Sequence, residues 1–77
     1  METQVISTKL KELEQAIEEA KLSGTVYRPE HKGFDMAIYS AQIDPMIKEL
    51  SLFEREMSQQ QKQRFVSLKE QVKRELP

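Results

Sequence analysis

Residues 57–65 read MSQQQKQRF, and the choice between two folds turns on them. Ser58 followed three residues later by Gln61 is the pattern of a capping box, in which each side chain satisfies a backbone amide at a helix start. Yet no glycine or proline interrupts residues 46–76, so the same stretch also fits the interior of one helix. We read continuity: a long helix over about 45–75, with residue 58 marking where a break would fall. Met46, Leu50, Phe53 and Met57 start its apolar stripe, which passes Gln61 and resumes at Phe65, Leu68 and Val72. A helix of about 30 residues is roughly 45 Å long, so its last turns overhang a shorter partner and expose Phe65, Val66, Leu68 and Val72. Self-association would cover them, and Met57, Phe65, Leu68 and Val72 are therefore the expected interface. A break at Ser58 would instead let the last helix fold back into a monomeric bundle.

The shorter partner is legible upstream. Ile6, Leu10, Leu13, Ile17 and Ala20 recur at spacings of four and three, a heptad seam that predicts a coiled-coil-like helix over about 5–22. Thr3, Ser7 and Thr8 are its candidate N-caps, and Gly24 suits the left-handed position just past its end. Residues 23–34 read as a loop, since GTVYRPEHKG holds both glycines and Pro29. Thr25, Val26 and Tyr27 have strand propensity but no second strand pattern to pair with. A short helix follows over about 35–43, with Asp35 as N-cap and Phe34 placed to pack on Tyr39 as a hydrophobic staple. The fold class is thus all-α: an unequal helical hairpin with a short connecting helix, a single domain over residues 1–77, assembled into a helical bundle.

A chain of 77 residues buries only about 60% of its unfolded surface, and with no cysteine nothing covalent supplements the core. No apolar run approaches the roughly 20 residues of a membrane span, and the N-terminus is polar from the start. The expected setting is soluble and cytoplasmic, with no membrane partner. Twelve basic residues against thirteen acidic ones give no global field to gather nucleic acid.

The inventory excludes most catalysis. His31 is the sole histidine, so a thiolate or histidine metal site cannot be assembled, and a wet loop is its expected place. No nucleophile turn and no glycine-rich phosphate loop occurs. Glu12, Glu14, Glu18 and Glu19 read as a solvated helix face, because raising a carboxylate pKa needs burial that a thin helical protein hardly provides. Met46 and Met57 read as core or interface fillers. No cofactor is expected.

Residues 61–75 hold Lys62, Arg64, Lys69, Lys73 and Arg74 against Glu70 and Glu75, while the rest of the chain is net negative. Lys62, Lys69 and Lys73 fall near one helical face. Weak nucleic-acid binding through them is one alternative, but no aromatic residue interleaves the basic face. A basic end facing the acidic first helix of a neighbouring chain is the simpler account.

The stretch YSAQIDPM, residues 39–46, has two readings. As a junction, Ile43 closes one helix, Asp44 caps the next, and Pro45 sits at its first position, where a missing amide costs nothing. As a signature, SAQID followed by PMIKEL resembles the Ser-Gln-Glu-Leu-Asp motif of the small sporulation-control aspartyl-phosphate phosphatases, with Ser40, Ile43, Asp44 and Ile47 at matching places. That resemblance implies a helical hairpin acting on a response regulator, with Asp44 in phosphatase action. We take the junction reading, because proline directly after Asp44 should end or kink a helix. The function that follows is a non-enzymatic one: a small regulatory or protein-interaction module, an adaptor, inhibitor or assembly factor that uses exposed helix faces, homodimerises, and binds a further, unidentified protein.

Overall fold

The computed structural model describes residues 3–27 and 34–76. Its elements are all helical: α1 (Thr3–Tyr27), α2 (Met36–Ile38), a π-helical turn (Tyr39–Ile43), α3 (Asp44–Leu52), a 3-10 turn (Glu54–Glu56) and α4 (Gln59–Glu75). No strand occurs among the described residues, and the all-α expectation holds.

The heptad seam of α1 is the spine. Ile6, Leu10, Leu13, Ile17 and Ala20 are at most 1% exposed, and Ala16 joins them. α2, the π turn and α3 run back along one side of α1, while α4 packs along another. Phe34, Ile43, Leu50, Met57, Phe65, Leu68 and Val72 complete one continuous core. The result is an elongated three-layered bundle, 41 × 18 × 15 Å across its Cα atoms.

The first helix is longer than the sequence reading. Its backbone stays helical through Gly24 to Tyr27, so Gly24 is not a C-terminal cap and residues 24–27 are not loop. A single glycine costs a helix only about 1 kcal/mol and does not by itself stop one. Ser7 and Thr8 lie within the helix, not at its cap; the Thr8 hydroxyl donates back to the Gln4 carbonyl at 3.0 Å. The remainder of the expected loop, with Arg28, Pro29 and His31, lies outside the described residues.

The start of the second layer follows the sequence closely. Asp35 Oδ1 accepts from the amides of Ala37 and Ile38 at 2.9 and 3.3 Å, an N-cap, and its Oδ2 accepts from the Ser23 hydroxyl at 2.7 Å. The Asp35 amide itself donates to the Ala20 carbonyl at 3.0 Å, which ties this cap to α1. Phe34 is buried, and its ring lies 6.3 Å from that of Tyr39, completing the staple.

Pro45 does not break the chain, which corrects the junction reading. Asp44 has φ −60 and ψ −46, so helical backbone runs unbroken from Met36 to Leu52. The reason lies in the turn just before. The Asp44 amide donates to the Tyr39 carbonyl, five residues back, so the helix widens and shifts register where Pro45 can donate nothing. The missing amide is absorbed by a turn that has already left the four-residue ladder.

The long helix does break, which is the second correction. Phe53 leaves helical geometry, a 3-10 turn follows, and Met57 and Ser58 are extended, so α4 turns back onto α1. The capping box is complete: the Gln61 amide donates to Ser58 Oγ at 3.2 Å, and the Ser58 amide donates to Gln61 Oε1 at 2.9 Å. Folding back buries Phe65, Leu68 and Val72, each worth about 1.5–3 kcal/mol of apolar transfer. At the break the amides of Phe53, Glu56 and Met57 donate within the turn, and those of Ser58 and Gln61 donate within the capping box. Burial therefore outweighs helical continuity.

Candidate functional site

Met57, Phe65, Leu68 and Val72, the expected self-association surface, are at most 5% exposed within the single chain. Within one chain they belong to the core, because the break at Ser58 supplies α1 as their partner. The overhanging apolar surface that called for a second copy does not exist in this fold.

Lys62, Lys69 and Lys73 do share a face. Two contacts fix its direction. On one flank of α4, Arg64 pairs with Glu14 and Gln61 Nε2 donates to Ser7 Oγ at 2.9 Å, so that flank meets α1. On the other, Lys69 approaches Glu54 beyond the end of α3 at 4.0 Å and lies 4.4 Å from the centre of the Phe65 ring. Lys62, Val66 and Lys73 stand seven and three residues before Lys69 and four after it, so at 3.6 residues per turn they line the same flank, away from α1. Lys62 and Lys73 are exposed, and Val66 is 43% exposed between them. A shallow depression of about 360 Å³ beside this line is bounded by Gln59, Lys62, Gln63, Val66, Ser67 and Glu70.

The outer surface of α1 has the opposite character. Glu12, Glu14, Glu18 and Glu19 are exposed, and Glu14 is engaged by Arg64. Lys9 pairs with Glu49 of α3. That hydrogen bond, opposed by partial desolvation and aided by the charges of Glu49 and Glu12, raises the Lys9 pKa. A raised lysine pKa stabilises the fold throughout the neutral range and loses its effect only as pH climbs through that elevated value. Between α1 and α4 runs a groove of about 520 Å³, whose walls include the polar Ser7, Thr8, Lys11, Gln60 and Arg64 and the apolar Leu10. It lies open to solvent, unlike the enclosed clefts that small-molecule sites use.

Asp44 sits on the flank of the unbroken second helix, partly exposed, and pairs with Lys48 one turn on at 3.1 Å. Ser40 is exposed one turn earlier. Among the described residues no group of three His, Asp or Glu side chains has metal-binding geometry, and no helix is long and apolar enough to cross a membrane.

The chain matches no family model, no curated protein and no solved structure. Its functional reading therefore rests on its own surfaces. Sequence reasoning missed three contacts that shape them. Gln61 was placed on the buried stripe and in the capping box, but its contact with Ser7 joins residues 54 positions apart and left no local trace. The same is true of the pairs Arg64–Glu14 and Lys9–Glu49.

Proposed function

We propose that the protein is a small helical protein-interaction module whose working surface is the outer flank of α4. The observation that carries this reading is the line Lys62–Val66–Lys69–Lys73: two exposed ammonium groups, Lys62 and Lys73, and a half-buried third, Lys69, beside Glu54, around one exposed aliphatic side chain on a capped helix. Exposed charge of one sign sets the rate and selectivity of encounter, and a central apolar contact excludes water once docked. The partner surface that complements it is acidic with an apolar centre. In the native cell, site-specific photocrosslinking from position 63, beside the line, should capture one or a few acidic proteins. The variant Lys62→Glu/Lys69→Glu/Lys73→Glu should keep its helical content and lose that capture by tenfold or more, since like charges placed across a contact cost several kcal/mol. Undiminished capture of the same proteins by the reversed-charge variant would overturn the reading.

A second reading is favoured by one observation: the helix from Met36 to Leu52 is continuous, with Asp44 partly exposed on its flank. Continuity at Pro45 removes the main reason for setting aside the resemblance of Ser40, Ile43, Asp44 and Ile47 to the aspartyl-phosphate phosphatase signature. On this reading a carboxylate on a rigid helix would reach the phosphoryl group of a partner domain. Phosphorylated receiver domains incubated with the protein should then lose phosphate faster, and Asp44→Asn should abolish the acceleration. Equal rates with and without the protein across a receiver panel would remove it.

A further inference from the structure

α4 is held to the rest of the chain through a separable surface. Its buried residues Phe65, Leu68 and Val72 pack with the spine helix α1, it touches α3 little, and Gln61 and Arg64 both bond to α1 side chains. The connection to α3 is short, residues 53–58, and contains no glycine or proline. Its residues Phe53, Glu54, Arg55, Glu56, Met57 and Ser58 are all compatible with helix, and the apolar stripe of α3 continues through Phe53 and Met57 into Phe65. The closed form keeps its bend by burying Met57 and by the Ser58–Gln61 capping box.

We infer that the chain has a second, dimeric form in which residues 44–75 straighten into one helix and α4 of each copy docks on α1 of the other. A second copy is the occupant because every chain already carries the complementary surface. Each α4 finds on its partner the same Ser7, Glu14 and apolar seam that it uses in its own chain. Exchange of an identical element is a low-cost route to a dimer, since all contacts but those of the hinge are kept. The balance between forms is then set locally. The monomer keeps the capping box and the buried Met57, whereas the dimer gains helical hydrogen bonds through residues 53–58. For so short a connection the effective concentration of the intramolecular contact is on the order of 1 mM, so the exchanged form belongs to concentrated protein.

The test begins with refolding from denaturant at about 1 mM and at about 1 µM, a bracket around that effective concentration, followed by light scattering. Dimer is expected in the concentrated sample only. The chain has no cysteine, so Glu14→Cys/Arg64→Cys introduces the only two thiols, and a flexible bis-maleimide reports which α4 lies on which α1. In the dimer fraction the link should join different chains; in the monomer fraction it should close within one. Gln59→Pro separates exchange from surface association. Position 59 is the first residue of α4, where proline is favoured, and Ser58 already has the extended φ −67, ψ 166 that precedes proline well. In a straight 44–75 helix the same proline would collide with the Arg55 carbonyl and remove a hydrogen bond. Gln59→Pro should therefore fold as monomer and dimerise at least about a hundredfold more weakly. Ser58→Ala, which removes the cap of the closed form only, should shift the balance toward dimer by about fivefold per chain. Monomer under all conditions, links only within chains, or undiminished dimerisation of Gln59→Pro would each overturn the inference.

Discussion

Phe65→Ala should cost the protein about 3–5 kcal/mol, a large share of its stability. Phe65 is fully buried, and the rings and aliphatic chains around it come from a single thin core. Truncating a buried phenylalanine costs about 3–5 kcal/mol, from lost transfer energy and the cavity left behind. A domain of this size has a total stability of only about 4–12 kcal/mol at the usual 0.05–0.15 kcal/mol per residue. The loss is thus a large part of the whole. Chemical denaturation followed by circular dichroism should show the midpoint falling by about a quarter or more. The neighbouring Val66→Ala, at an exposed position of the same helix, should move it by under about 1 kcal/mol. This pair also separates the two folds considered for residues 57–65. If α4 were an overhanging extension of α3, truncation at 65 would weaken association between chains while leaving a monomer's stability nearly unchanged.

Ile43→Ala should destabilise by about 2–5 kcal/mol, whereas Ile47→Ala, one turn later, should cost under about 1.5 kcal/mol. The difference follows from packing. Ile43 ends the π turn and is fully buried in the core, while Ile47 is only partly buried against that core. Both isoleucines look equally suited to a core in the sequence. What separates them is their place on the helix: Leu50, seven residues after Ile43, shares its buried face, while Ile47 stands at the edge of that face. Equal losses at the two positions in a denaturation series would show that Ile43 is not the more deeply packed of the two.

Much of this architecture is legible in local sequence. The α1 seam, the Asp35 cap with its Phe34–Tyr39 staple, and the Ser58–Gln61 capping box each follow from residues within one or two turns of one another. Such features depend on spacing and on short-range hydrogen-bond chemistry, which a sequence displays directly. The basic line on α4 is legible for the same reason, because residues four and three apart on a helix must share a flank.

Two outcomes were decided elsewhere. At Ser58 the local signals support both a helix start and a helix interior, and the balance is tipped by Phe65, Leu68 and Val72, which gain burial only if the chain reverses onto α1. At Pro45 the local rule points to a break, yet the helix continues through a widened turn, with Ile43 and Leu50 both buried in the core shared with α1. The candidate site changed with them: Met57, Phe65, Leu68 and Val72 passed from surface to core, and Lys62 and Lys73 stand exposed on the flank of α4 that they share with the half-buried Lys69. The sequence by itself determined where helices form and which stripe of each is apolar, since those are properties of a few adjacent residues. Only the tertiary structure decided where the chain bends and which stripe meets which, because burial is a property of two segments together and its energy exceeds that of any single cap, glycine or proline.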